Sequence, residues 1–400
     1  MTSRRKFVVV GCGGIGSAAL YWLSRQHGGG GGLDGAVLGL DRHGLGHPHG
    51  ASGDHSRIIR LAQHEDVYSR LAPAAYDTWR EVERASGQTL VTETGGLVIE
   101  DVEARRGLDT GSRNIDGYLE VAARHGVPMQ LLDADALIAR WPQFRLSGTE
   151  RAVYQERSGI VDAQRAVSTH IALARAHGGE FRENAPVRAL HDAGSHIEVV
   201  LDDEVVHAEH VIVTADARTN EVLSGLHAIP LTVTQEQVTY YSTPNLAEFS
   251  PAHFPVFMWH GADNFYGFPV YGEVATKLGQ HMGGHEVTAD TRTYEPDPLR
   301  RKRASEFLAE HVPGFGGPEL YTKTCLYTIP PDQHFVLDRL PGSPRVSVGV
   351  GAGHAYKFAS LLGRILAELA EHGATRHAID EFSLTRPALT DPEHRTSHHV

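Results

Sequence analysis

The run Phe7-Val8-Val9-Val10 leads without interruption into Gly11-Cys12-Gly13-Gly14-Ile15-Gly16, and that junction decides the fold. Four apolar, β-rich residues read as a buried strand, and the stretch Ser17 to Gln26 reads as the helix that follows. A strand that turns into a helix over Gly11, Gly13 and Gly16 removes side chains where a pyrophosphate must approach free backbone N–H groups and the positive end of a helix dipole. A second apolar run, Ala36 to Leu40, ends in Asp41, about 25 residues after the last glycine, close to the offset expected of a ribose-binding acid. Gly28 to Gly32 read as a loose loop between helix and strand. Strand, glycines, helix, strand and acid in this order predict a dinucleotide site; a glycine-rich loop in a core would leave Asp41 unexplained.

Composition narrows the class. Four hundred residues suffice for two domains with substantial cores, and 41% hydrophobic with 22% charged residues is ordinary globular usage. A net charge of −12 argues against nucleic acid, a phosphate-coated partner. Ser3-Arg4-Arg5-Lys6-Phe7 imitates a twin-arginine leader, but its removal would delete the phosphate-binding turn, so it reads as a basic N-terminus. With no apolar stretch long enough to span a bilayer and only two cysteines, the expectation is a soluble, cytoplasmic protein in a reducing compartment, with no membrane partner. Cys12 reads as a small filler of the turn. The 26 histidines show no His-Glu-x-x-His spacing and the cysteines no Cys-x-x-Cys spacing, so the sequence indicates no metal site.

Further along, Leu71 to Ser86 reads as an amphipathic helix, Gly95 to Ile99 as a strand, and Val211 to Thr214 as a buried parallel-type strand after a hairpin around Ile197 to Val206. From Gln235 to Gly279 the pattern is strand-rich and aromatic, which predicts an antiparallel sheet facing a ligand. Val346 to Gly351 is a strand running into Gly351-Ala352-Gly353-His354-Ala355-Tyr356-Lys357 and a helix to about Glu371, a second glycine turn that returns the chain to the nucleotide domain.

Several of these segments carry a resemblance. Gly53-Asp54-His55-Ser56-Arg57-Ile58-Ile59-Arg60, Phe265-Tyr266-Gly267-Phe268-Pro269 with Lys277-Leu278-Gly279 and His281, Cys325-x-Tyr327, and Gly353-His354-Ala355-Tyr356-Lys357-Phe358 resemble the monomeric sarcosine oxidase and N-methyltryptophan oxidase family, in that family's order. Arg140-Trp141-Pro142 and Arg386-Pro387-Ala388-Leu389 extend the match over nearly the whole chain.

The resemblance implies an α/β protein: a Rossmann-like FAD-binding domain from residues 1–85, 155–225 and 322–400, interleaved with an antiparallel-sheet substrate domain from 86–154 and 226–321. It implies a monomeric FAD enzyme that oxidises the C–N bond of a secondary or cyclic amino acid and reduces dioxygen to hydrogen peroxide. Arg60 and Lys357 match the family's substrate-carboxylate pair, where two cations converging on one carboxylate orient the amine. Lys277 matches the lysine at which oxygen is activated, a fixed charge that stabilises nascent superoxide. Arg57 matches an arginine beside the flavin ring. His281 would contact substrate or tune its amine, although a structural histidine fits as well. Tyr266 and Tyr327 would close the pocket, with core packing an equal account of Tyr266; Met258 and Trp259 are further candidate lining residues. Cys325 matches the cysteine joined to the flavin 8α-methyl group, and a nearby cation should favour its thiolate. The remaining cofactor contacts implied are Gly11, Gly13, Gly14, Ile15, Gly16, Asp41, Arg42, Ser56, Val187, Gly351, Gly353, His354 and, a second time, Arg57 and Lys357.

Three departures stand out. Ser56 occupies a common threonine position, Gly53 falls where the family has a flavin-contacting histidine, and Asp216 replaces a usual glycine. Three other readings compete. An FAD dehydrogenase or desaturase of a cyclic imino acid would use oxygen poorly, against which Lys277 argues. An NAD-dependent dehydrogenase would leave Cys325 and the Arg57/Arg60 run without purpose. A non-catalytic flavin-binding protein would not need these candidate contacts.

Overall fold

In the computed structural model, residues 3–27, 35–108, 110, 113–391 and 393–394 are described; the glycine loop expected at Gly28 to Gly32 lies outside them. The opening strand, Ser3–Val10, runs parallel to both Val37–Leu40 and Val205–Val213, with Val8 beside Leu38 on one side and Val211 on the other. Alternation along the strand divides the interior. Phe7 and Val9 join one apolar cluster with the helices Gly14–His27 and Ala359–His372, whereas Val8 and Val10 join a second cluster on the opposite face. Each such buried side chain contributes about 1.5–3 kcal/mol. Both faces being covered is what makes this segment read as an unbroken apolar run.

Six strands follow in the order Ala189–Asp192, Ile197–Val200, Val205–Val213, Ser3–Val10, Val37–Leu40, Glu180–Arg182. Ser343–Val350 pairs parallel with Val205–Val213 and antiparallel with Val336–Leu340, completing an eight-stranded sheet. The helix after the second glycine turn falls where expected: Ala352 and Gly353 both have positive φ, a 3-10 turn spans Ala355–Phe358, and the helix runs Ala359–His372. The amphipathic helix runs Asp66–Ser86, five residues longer than expected, with Pro73 inside it.

The second sheet has nine strands and carries the aromatic segment. Thr232–Tyr241, Thr276–Gln280, Asn264–Phe268 and Val256–His260 pair antiparallel in that order, as predicted. One pairing departs from an all-antiparallel sheet: Val256–His260 runs parallel to Gly96–Asp101, whose entry into the sheet follows a long crossover instead of a hairpin. Glu319–Ile329, the strand carrying Cys325, pairs with Thr232–Tyr241 over its length and so belongs to this sheet. A small third sheet places Ser56–Arg60 against Ser158–Asp162. Among the described residues, no helix is long and apolar enough to cross a membrane.

Candidate active site

A single cavity of about 860 Å³ connects the glycine turn with the aromatic sheet, and its walls include Cys12, Asp41, Arg57, Lys277, Cys325 and Lys357. At the glycine end, backbone geometry excludes side chains. Gly11 has φ +86°, and a Cβ on Gly16 would lie 1.8 Å from the Gly11 carbonyl oxygen. Gly13, Gly14 and Ile15 line the cavity beside them. The Asp41 carboxylate accepts the Cys12 N–H at 2.8 Å and the His43 N–H at 3.0 Å, with His47 Nε2 at 3.4 Å. Burial would raise the Asp41 pKa, but these contacts outweigh it and hold the acid ionised. Val187 and Arg42 also line the cavity; Arg42 pairs with Glu221 at 3.0 Å, and the Ala185 N–H donates to the Asp41 carbonyl at 2.8 Å.

At the sheet end a buried charge network appears. Lys277, 2% exposed, donates from Nζ to Asp54 Oδ2 at 2.9 Å and to the Ser56 carbonyl at 2.8 Å, and lies 4.0 Å from the Phe268 ring centre. Arg57 donates to the same Asp54 oxygen at 3.1 Å and to the Ala51 carbonyl at 2.7 Å. The Tyr240 hydroxyl donates to the other Asp54 oxygen. Burial works against the Asp54 charge, yet Lys277 and Arg57 hold its carboxyl far below the usual range. Burial pushes Lys277 down to about 8, partly opposed by Asp54. Cys325 sits in this field as well: burial pushes its thiol up to about 11 although Arg57 and Arg292 pull it down. The expected cations are therefore present, but desolvation prevails over them in the protein alone.

Arg60 and Lys357 differ from that network. Arg60 donates from Nε to Gln63 at 2.8 Å, contacts the Met258 sulfur, and lies 5.4 Å from the Tyr118 ring centre. Lys357 donates to the His354 carbonyl at 2.6 Å. Among the described residues neither has an acid partner, and burial, with Arg60 nearby, depresses the Lys357 pKa well below that of an ordinary lysine. Burial, followed by the charges of Arg113, Lys357 and Arg60, pushes His281 down to about 3, so its imidazole is neutral. The Tyr266 and Tyr327 rings lie 6.4 and 6.0 Å from it. Close approach explains two neighbouring glycines: a Cβ on Gly279 would meet the Tyr266 ring at 2.6 Å, and one on Gly353 the Tyr327 ring at 2.5 Å. Gly351 and His354 line the same cavity, as does Met258; Trp259 faces a core cluster instead, against Phe307 and His311, which is where alternation along Val256–His260 puts it.

The departures acquire physical reasons. A Cβ on Gly53 would lie 2.8 Å from the His47 carbonyl, so the path of this loop leaves no room for a histidine. Asp216 adopts φ +50°, the left-handed region that favours glycine, and its buried Oδ2 has no hydrogen-bond partner; burial raises its pKa. Sequence reasoning gave no role to Asp54, Tyr240, Arg113 or Arg292. Arg292 ties the loop to the cysteine strand, donating to the Pro48 and His49 carbonyls at 3.0 Å and to Thr324 Oγ1 at 3.0 Å. The available signal was register: Tyr240 lies directly opposite Lys277.

The arrangement fits FAD on three structural grounds: a side-chain-free turn, an ionised acid beyond it, and one cavity long enough to lead from both to a buried cluster of cations. Comparison with known proteins agrees. Residues 6–369 match the family described as FAD dependent oxidoreductase, and the chain belongs to that family. Within it, monomeric sarcosine oxidase of Bacillus sp. (strain NS-129) is 30% identical over 97% of this chain and 98% of its own. N-methyl-L-tryptophan oxidase of Yersinia pestis (strain Pestoides F) is 30% identical over 95% of this chain and 98% of its own, so the resemblance read from the motifs holds. Among solved structures, the open form of NikD, described as an unusual amino acid oxidase essential for nikkomycin biosynthesis, has TM-score 0.82 at 23% identity, covering 95% of this chain and 97% of that one. At such identity the likeness concerns the fold.

Proposed function

We propose that this protein is an FAD-dependent oxidase of secondary, N-methyl amino acids such as sarcosine or N-methyltryptophan, releasing amino acid, formaldehyde and hydrogen peroxide. The observation that carries the reading is a pair of cavity cations, Arg60 and Lys357, without an acid partner among the described residues, in the cavity that also holds the buried Lys277. Residues 1–85, 155–225 and 322–400 would form the cofactor unit and 86–154 with 226–321 the substrate unit, the Cys325 strand reaching across to the second sheet. A cytoplasmic monomer is part of the same reading.

FAD would be held at the glycine turn and Asp41, and through a thioether at Cys325. The chemistry it supplies when bound is two-electron oxidation of a C–N bond followed by return of the electrons to dioxygen. Arg60 and Lys357 bind the substrate carboxylate, whose charge offsets the burial that depresses the Lys357 pKa. His281, neutral and too weak a base to keep the substrate's ammonium proton, acts as a hydrogen-bond partner for the amine. Tyr266 and Tyr327 exclude water beside it. Lys277, fixed by Asp54 and Ser56, offers charge to nascent superoxide. Arg57 favours negative charge at the flavin ring.

The test is acid precipitation of the purified protein with flavin spectra of both fractions, followed by peroxide assays with N-methyl amino acids. Colour that stays with wild-type protein and leaves it in Cys325→Ser supports the thioether, and peroxide release supports the oxidase. Substrate oxidation that needs an artificial acceptor would favour the dehydrogenase of a cyclic imino acid instead.

A further inference from the structure

On the outer part of the first sheet, at residues that do not line the cavity, three donors converge. His196 ends the turn that leads into the strand Ile197–Val200, two residues before Glu198, and the hairpin register sets His207 directly opposite Glu198. His196 Nε2 and His207 Nε2 lie 4.0 and 3.8 Å from the same Glu198 oxygen, and all three donor atoms fall within 4.8 Å of one another. The two imidazole rings are 4.3 Å apart.

We propose that His196, Glu198 and His207 form a binding site for a divalent transition metal of the zinc type. Two nitrogens or oxygens bound tetrahedrally at about 2.1 Å stand roughly 3.4 Å apart, so side-chain shifts of up to about 1 Å close the site around an ion. The present separations exceed hydrogen-bond length, and His196 Nε2 is buried without any hydrogen-bond partner. Its other nitrogen, Nδ1, is engaged by Ser195 Oγ at 3.0 Å, an outer contact that fixes the ring and leaves Nε2 directed at the gap. Two imidazoles and a carboxylate suit zinc, nickel or copper better than magnesium or calcium. His191 pairs in register with Glu198 from the other side but is not one of the three converging donors, so solvent would complete the coordination. The opposing charge is Arg4, in register with His207 on the next strand. No motif spacing reveals the group because strand pairing, not sequence proximity, assembles it. Bound metal would clip the Ile197–Val200 strand to Val205–Val213 and does not enter the redox chemistry.

The experiment uses the FAD-loaded protein freed of metal by chelator, titrated with Co²⁺ and followed by its visible d–d absorption, then competed with Zn²⁺. Wild type is expected to bind one equivalent that is absent from the His196→Ala/His207→Ala variant, and Glu198→Gln is expected to weaken it by at least about 100-fold. Flavin absorbance, unchanged in every variant, shows that the fold is intact. Equal stoichiometry and affinity in wild type and the double variant would overturn the proposal and assign the metal to other histidines.

Discussion

Two pairs of cations face one cavity, and they are built in opposite ways. Lys277 and Arg57 share the Asp54 carboxylate, whereas Arg60 and Lys357 have no acid among the described residues. The first pair is complete in the protein: its charge is fixed before any ligand arrives. The second is complete only when a ligand brings a carboxylate. The difference teaches where catalysis and recognition divide, since a fixed charge can act on a reaction while an unpaired one can act on binding.

The comparison breaks most severely at Asp54. Asp54→Asn should destabilise the FAD-loaded enzyme by about 3–5 kcal/mol, read by denaturant unfolding, because it strands a buried lysine. Since the folded carboxyl lies below its ordinary pKa, its contribution is full above the usual carboxylate range and is lost as pH falls below it; the variant should therefore show a flatter acid limb. An unchanged midpoint would make Asp54 dispensable. Next in size, Lys277→Met should slow flavin reoxidation by oxygen about 10²–10³-fold while anaerobic reduction changes little. Wild-type reoxidation should also fall as pH rises through about 8, where Lys277 loses its proton, and the variant should lack that step. Equal slowing of both half-reactions would remove the oxygen role.

The second pair is sharpened by binding. Arg60→Ala should weaken carboxylate inhibitors and substrates together by about 1.5–3 kcal/mol in titrations. In wild type, inhibitor binding should raise the depressed Lys357 pKa and so be accompanied by proton uptake, measurable by calorimetry in buffers of differing ionisation enthalpy. No uptake would mean Lys357 is already charged. The smallest effect belongs outside both pairs: Asp216→Gly should stabilise the protein by about 1 kcal/mol in thermal unfolding, by relieving a left-handed backbone and an unpartnered carboxylate oxygen.

What the sequence discloses follows the same division. Gly11, Gly13, Gly16 and Asp41 were legible because a backbone requirement falls within one contiguous stretch and leaves a local signature. Lys277, Arg60 and Lys357 were legible only through resemblance, since a lone cation carries no periodic signal. Asp54 was quoted within its motif yet given no role; its partners Lys277 and Tyr240 arrive from strands some 200 residues away. The parallel pairing of Val256–His260 with Gly96–Asp101 was illegible for another reason: a short apolar run such as Val256 to Trp259 looks alike in either direction. The left-handed Asp216 was noticed as a departure, but only backbone geometry explains it.

The first sheet also dictates when this enzyme can be made ready. Val346 to Val348 supply the parallel partner of Val211 to Val213, and Lys357 follows only after that strand. A chain emerging from the ribosome thus displays its glycine turn early but lacks the far wall of the pocket until Lys357 has been made, about 340 residues later than Gly16. A complete pocket therefore exists only once the chain has been made past Lys357, and the glycine turn on its own offers the cofactor half a site.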